Sequence, residues 1–432
     1  MVLSGMQRAV RWHPPAYDIR VEDVPIPQIV EPDDAILAGL CGSDLHIYRG
    51  HEDVHDVLVC GHEMVGEVVA LGSNFHPKAA GRPPLYSTLK LGDKVVSPFT
   101  ISCGECHFCR IGFTCRCVHS CLFGIPTLPG GQAQYARIPK AGGTLFSISA
   151  LPISSPNNAD LSQLADCSLL LLADILPTGV FAALQALQHP KLSPMLTRSA
   201  YPSSGFIPES LIVGAGSESA ALQHKDRQLT LAIVGLGPVG VCAAVSLLDM
   251  LAGLESKEGI NYRVVAIDPV ESRRKKMEAI YTIISKKETS SSRKFSVSSI
   301  EDGKRIIGDW TDDVGCNAVL EVVGNPSALT LAYELVRPFG LISSVGVHQE
   351  PAMPFTGREL YDKNVSFDFG RCPVRAMFPT ALDILLKRQD IFGDVGGEAN
   401  LVEKVVGLDE AAESYELFDK GKCGKILFNP WK

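Results

Sequence analysis

From Leu231 to Leu248 the chain runs for 18 residues without a charge, and few features limit a fold more sharply. A stretch of that length is either a membrane span or the buried centre of a domain. Gly235, Gly237, Pro238 and Gly240 lie near its start and Asp249 follows directly, so the run reads as a short strand, a tight turn and a buried helix. The turn is Gly235-Leu236-Gly237-Pro238-Val239-Gly240. Here the first glycine permits the turn, the second lets a pyrophosphate approach, and the third lets strand and helix pack closely. The amides of the helix opened by Pro238 and Val239 then face the phosphates.

The neighbouring sequence supports that reading. Leu231–Val234, Arg263–Ile267, Ala318–Val323 and Leu341–Val345 are strand-like, and Pro238–Leu254, Glu271–Ile280 and Ser327–Val336 are helix-like. Alternation of this kind predicts an α/β domain with a doubly wound parallel sheet over residues 176–372. Asp268 ends the second strand, 28 residues beyond Gly240, against a usual spacing of about 20. A longer helix and a loop over Glu255–Tyr262 absorb the difference. An acid there accepts the ribose hydroxyls of NAD and repels the 2′-phosphate of NADP; Arg273 and Arg274 follow, and either soften that preference or are ordinary helix-surface charges. Residues 189–227 and 285–299, rich in Ser with Pro and Gly or Lys, read as loop insertions. The first 150 residues differ in texture: Val65–Leu71, Val95–Ser97 and Gln132–Ile138 are short strands bounded by Gly, Pro and Asp. A β-rich domain of residues 1–175 and 373–432 is expected.

That β-rich part carries the metal chemistry. Cys103, Cys106, Cys109 and Cys117 are separated by two, two and seven residues. Four thiolates so spaced can close on one tetrahedral zinc, with Zn–S bonds of about 2.3 Å and no vacancy for substrate, which makes the role structural. Cys115 and Cys121 lie close enough in sequence to substitute. A second set begins with Cys41-Gly42-Ser43-Asp44-Leu45-His46 and continues at Gly61-His62-Glu63. A thiolate and an imidazole from different loops suit a second zinc, and a catalytic ion needs a third ligand and an open position. Asp174, interrupting the apolar run Leu169–Leu176, is the candidate; the alternative is a capping or hydrogen-bonded aspartate. The chain has 13 cysteines in 432 residues, too few for a disulfide scaffold, so a reducing compartment and a cytoplasmic location are expected. Arg8 and Arg11 are not followed by an apolar run of signal-peptide length. The net charge of −8 provides no general attraction to nucleic acid or to an anionic membrane.

Together these residues resemble the zinc-dependent alcohol dehydrogenases of the medium-chain dehydrogenase/reductase superfamily, from about Val10 to Phe428. The resemblance implies a GroES-like catalytic domain beside a Rossmann domain, two zinc ions per chain, NAD as cofactor, and a homodimer or homotetramer. It assigns Cys41 and His62 to the catalytic zinc and Cys103, Cys106, Cys109 and Cys117 to the structural one. Asp174 stands where many members have a second cysteine. The stretch Ala173–Gly179 looks most like the formaldehyde-dehydrogenase branch, where an aspartate is the third ligand, although the long insertion near the cofactor that marks the glutathione-independent enzymes is missing. Glu63 resembles the glutamate behind the zinc, and Asp44 the partner that orients the histidine ligand. Phe99 resembles a pocket-lining aromatic, and Thr178 and Gly324 are expected near the cofactor.

The expected reaction is hydride transfer between an alcohol, or an aldehyde hydrate, and NAD. Zinc acidifies the alcohol, and Ser43 receives the hydroxyl proton and passes it through the cofactor ribose to His46 and solvent. Two alternatives stand beside it: a polyol dehydrogenase of the same superfamily, with a glutamate ligand, and a non-catalytic zinc- or nucleotide-binding relative.

Overall fold

The structure is a computed structural model; it describes residues 4–42, 45–50, 54–79, 81–83, 86–150, 161–197, 228–286, 294–349 and 352–432. Ser43, Asp44 and most of the first expected insertion lie outside these residues, and the side chains of Cys41 and His46 are likewise not described. The chain forms two compact units, Met1–Thr178 with Cys372–Lys432, and Gly179–Arg371. The sequence-based boundaries fall at 175/176 and 372/373.

In the first unit a seven-stranded sheet runs in the order Val402–Val406, Lys425–Phe428, Ala35–Gly42, Met64–Leu71, Lys94–Ser97 and Phe146–Ser147, with Tyr135–Ile138 also paired to Ala35–Gly42. A three-stranded sheet, Asp18–Pro25, Met6–His13 and Leu58–Val59, accompanies it. Alternation places Leu37, Val68, Val95 and Ile138 in one apolar cluster with Phe123 and Leu145. Trp12, Tyr48, Tyr415 and Phe428 build a second. These two cores fix the strands beside whose ends the expected ligands Cys41 and His62 lie.

The second unit is a six-stranded, all-parallel sheet in the order Lys294–Ser298, Asn261–Ile267, Gln228–Val234, Cys316–Glu321, Val336–Ser344 and Ser366–Phe369. The order reverses at Gln228–Val234, where the glycine turn follows, and ligands of open α/β sheets bind at such a reversal. Helix Pro238–Glu258 is long and apolar enough to cross a membrane. Its Val241, Ala244, Val245 and Leu248 are nevertheless buried within the domain, as befits a core helix.

Two expectations about loops are corrected. Residues 285–299 are not wholly an insertion: helix Glu271–Ser285 extends past Ile280, and Lys294–Ser298 is the third strand, paired in parallel with Arg263–Ile267. Phe295 and Val297 supply the two-residue alternation that the surrounding Ser and Lys obscured. Ser299 then caps helix Ile300–Thr311 by accepting from the Asp302 amide. The loop expected over Glu255–Tyr262 also shrinks, because the helix continues to Glu258 and ends on Gly259 in the left-handed conformation. In the first expected insertion, Ser193–Thr197 forms a short helix.

Candidate active site

Strand Ala35–Gly42 lies between two strands that deliver partners to its end. Cys41 is paired with Met64 on one edge and with Phe428 on the other. His62 and Glu63 immediately precede Met64, so the register alone brings the backbone of Cys41 beside them. The segment leading to His62 is held by backbone bonds, from Gly130 N to Val59 O at 2.9 Å, Gln132 N to Cys60 O at 2.9 Å and Gly131 N to Gly61 O at 3.0 Å.

Asp174 arrives from far along the chain. It sits between the turn Leu171–Ala173 and helix Ile175–Leu187, with φ −152° and ψ −71°, and the helical path bends by 47° there. The break turns its carboxylate toward His62, whose Nε2 lies 3.3 Å from Asp174 Oδ2. Thr178, one turn into the helix, donates its hydroxyl to Oδ1 at 2.7 Å. Burial works to raise the Asp174 pKa, but the His62 and Thr178 hydrogen bonds and the charges of His62 and Lys425 hold it below the ordinary carboxylate value. Thr178, expected near the cofactor, also orients Asp174 through this hydrogen bond.

Glu63 is less remote than expected from the sequence. Its carboxylate joins His62 and Asp174 in a group whose donor atoms all lie within 4.8 Å of one another. It is also buried and paired with Lys425. A buried ion pair holds its partners in place because breaking it leaves an uncompensated charge. Lys425 escaped the sequence reading, although a lysine opening the buried strand Lys-Ile-Leu-Phe was a visible signal. Cys372 was missed as well; burial pushes its thiol well above the ordinary value, with the Asp174 charge adding to the effect. Phe99 packs edge-on to His62 with centroids 6.2 Å apart.

The four-cysteine lobe closes on itself. The Sγ atoms of Cys103, Cys106, Cys109 and Cys117 lie within 4.8 Å of one another, and these side chains form their own buried cluster. Backbone amides point at the sulfurs: Cys103 N to Cys117 Sγ at 3.3 Å, Cys106 N to Cys103 Sγ at 3.4 Å and His119 N to Cys117 Sγ at 3.3 Å. Burial works to raise the Cys106 thiol, but amide bonds from Cys109 and Val118 and thiol bonds from Cys109 and Cys117 bring it to about 6. Four convergent soft donors with amide support fit a structural zinc. Cys115 and Cys121 stand outside this cluster, Cys121 Sγ lying 3.7 Å from Leu122 O.

The cofactor turn fits its expected ligand by shape. Gly235 has φ +101°. A Cβ on Gly240 would lie 2.0 Å from Gly235 O, whereas one on Gly237 would meet nothing within 4 Å. The first and third glycines therefore serve the fold, and the second borders open space where a pyrophosphate can approach. Asp268 is buried, with Oδ2 accepting from Leu236 N at 2.7 Å and Oδ1 from Val270 N at 2.8 Å. Arg273 reaches within 3.6 Å of Oδ2. Arg274 instead donates to the carbonyls of Asp268 and Pro269, at 2.8 and 2.7 Å. Gly324, at φ +85°, lies at the carboxyl edge of the same sheet.

Residues 35–149 match the family described as the alcohol dehydrogenase GroES-like domain. The chain is 34% identical to zinc-type alcohol dehydrogenase B of Aspergillus flavus, over 99% of this chain and 82% of that protein. It is 35% identical to the medium chain reductase/dehydrogenase ucsI of an Acremonium species, over 82% of this chain and 98% of that one. Among solved structures, the alcohol dehydrogenase TADH from Thermus sp. ATN1 superposes with a TM-score of 0.67 at 26% identity, covering 98% of this chain and 99% of that one.

Proposed function

This chain belongs to the zinc-type alcohol dehydrogenases of the medium-chain dehydrogenase/reductase superfamily, and from that premise we propose hydride exchange between an alcohol, or an aldehyde hydrate, and NAD, with zinc held by Cys41, His62 and Asp174. The observation that carries the reading is the meeting of His62 and Asp174, 112 positions apart in sequence and 3.3 Å apart between donor atoms. Zinc bound there supplies Lewis acidity, which lowers the pKa of an alcohol hydroxyl toward neutrality. The chain's own residues do the rest. Thr178 fixes Asp174 Oδ1 and so leaves Oδ2 for the metal. Ser43 takes the hydroxyl proton and His46 hands it to solvent. Phe99 packs edge-on beside the His62 ring.

A carboxylate in place of a second thiolate transfers less charge to the metal, which makes the zinc a stronger Lewis acid. The stretch Ala173–Gly179 supports a formaldehyde-dehydrogenase-like branch. For the cofactor, each Asp268 oxygen accepts one amide and keeps a lone pair for a ribose hydroxyl. The same buried charge opposes a 2′-phosphate, which supports NAD over NADP. Cys103, Cys106, Cys109 and Cys117 take a second, structural zinc. We place the enzyme in the cytoplasm as a homo-oligomer.

A polyol-type ligand set is the second reading, favoured by the closeness of Glu63 to His62 and Asp174. The Lys425 pairing counts against it, since the buried cation on Oε2 already neutralises the Glu63 carboxylate and weakens it as a metal donor. A screen of primary alcohols, polyols and aldehydes on zinc-replete protein, followed at the NADH absorbance, tests the proposal. NADH formed from an alcohol, or consumed with an aldehyde, supports it. Cofactor binding without turnover on any substrate would favour the non-catalytic relative.

A further inference from the structure

Beyond the glycine turn, the second half of the sheet carries a polar cluster that neither the metal sites nor the turn explains. Glu321, the last residue of strand Cys316–Glu321, has a fully buried side chain. Its Oε1 accepts from Val323 N at 2.9 Å and Gly324 N at 2.8 Å. Ser344, the last residue of the neighbouring strand, donates its hydroxyl to Oε2 at 2.7 Å. His348 Nε2 lies 3.1 Å from the same oxygen and 2.9 Å from Ser344 Oγ. Two amides and the Ser344 hydroxyl all donate to the Glu321 oxygens, a donor set that suits a carboxylate; burial works to raise its pKa, and the hydrogen bonds from His348, Ser344 and the two amides hold it below the ordinary value. A carboxylate only accepts, and the one Ser344 proton is already given to Oε2. His348 Nε2 must therefore carry a proton.

This arrangement ties two loops together. Gly324 and Gly346 press backbone to backbone, so that a Cβ on Gly346 would lie 2.2 Å from Gly324 N. The ring of His348 packs edge-on against Phe369, at the end of the sixth strand, with centroids 5.6 Å apart. Apolar Val323, Val347 and Phe369 are 41%, 52% and 42% exposed, an arrangement suited to a flat, weakly polar ring. In a sheet of this order each half receives one nucleotide. The glycine turn and Asp268 belong to the half formed by the first three strands. The cluster belongs to the other half, where the nicotinamide nucleotide falls.

We propose that Glu321, Ser344 and His348 are positioning residues for the nicotinamide half of the cofactor, setting the spacing of the loops at Val323–Gly324 and Val345–His348. The inference rests on the dinucleotide reading given above. The test compares NADH with ADP-ribose, which lacks the nicotinamide ring, by titration calorimetry on the full chain. His348→Phe keeps the ring packing on Phe369 but loses Nε2–H; it should raise the NADH Kd about tenfold, the loss of one charge-assisted bond. The ADP-ribose Kd should stay within about twofold, which also reports that the variant is folded. His348→Gln, whose amide nitrogen takes the place of Nε2, should restore NADH affinity, and the shorter His348→Asn should not. Equal weakening of both ligands, or no change in NADH affinity, would overturn the proposal. Unaltered protein that binds neither ligand would overturn the dinucleotide reading itself, and the proposal with it.

Discussion

At the scale of single residues, the ligand assignment turns on two acids that share one cluster. Asp174 is bonded to a neutral hydroxyl and to His62, whereas Glu63 is held by a buried lysine. Asp174→Ala should therefore lose the active-site zinc and turnover while retaining the structural ion, and Asp174→Cys should keep both ions. Glu63 is better tested as Gln than as Ala, because removing the acceptor altogether would strand the Lys425 charge at a cost of about 3 kcal/mol or more. Glu63→Gln should hold two zinc ions and turn over slowly. Metal analysis decides: zinc lost from Glu63→Gln but kept by Asp174→Ala would install the polyol-type set. The glycine turn makes a second contrast. Gly240→Ala puts a methyl 2.0 Å from Gly235 O and should cost about 2–3 kcal/mol through overpacking. Gly237→Ala meets nothing within 4 Å, so it should melt nearly as the parent does while its NADH Kd rises at least roughly tenfold. Melting curves paired with NADH titration separate the two.

At the scale of elements, the four-cysteine lobe packs few apolar side chains of its own, with Thr114 and Cys115 its buried side chains besides the cluster. Its helix His107–Arg110 is one turn long, and Phe108, Ile111, Phe113 and Val118 are exposed rather than packed in a core. The proposed structural zinc would then supply most of its folding free energy. Cys106→Ala should drop the zinc content by one ion and raise hydrogen exchange across residues 103–118, leaving the His62–Asp174 site loaded. Unchanged exchange in that segment would show that the lobe folds without its metal. The second strand of the parallel sheet ends on Asp268, to which we assign the proposed preference for NAD. Asp268→Ser should weaken NAD and narrow the NAD/NADP ratio, measured as kcat/KM at low cofactor concentration. If the unaltered protein already favours NADP, Arg273 has outweighed the carboxylate.

At the scale of the whole molecule, the two proposed zinc sites draw on separate residues and should come apart in order. A chelator added at neutral pH should strip the three-ligand site first and abolish turnover with little change in Tm. Loss of the second ion, from four thiolates, should bring the fall in Tm; simultaneous loss of both activity and Tm would contradict independent sites. Contiguous motifs are legible in the sequence alone. The glycine turn, the cysteine spacing and the strand–helix alternation each act within a few dozen residues, where covalent connection already limits the geometry. Strand Lys294–Ser298 was hidden, because an edge strand with polar neighbours shows only Phe295 and Val297 of its apolar face. Long-range partnerships were beyond reach for a different reason. The Lys425–Glu63 pair, the hold of Thr178 on Asp174, and the joining of Glu321 to Ser344 and His348 depend on which strand ends and helix breaks meet in space. Local pattern specifies which elements form and what chemistry their side chains offer. Which acid meets Thr178 and which faces a lysine is decided only when segments far apart in sequence, 362 positions for Glu63 and Lys425, are packed side by side, because burial makes each buried charge find its partner or forfeit its hydration.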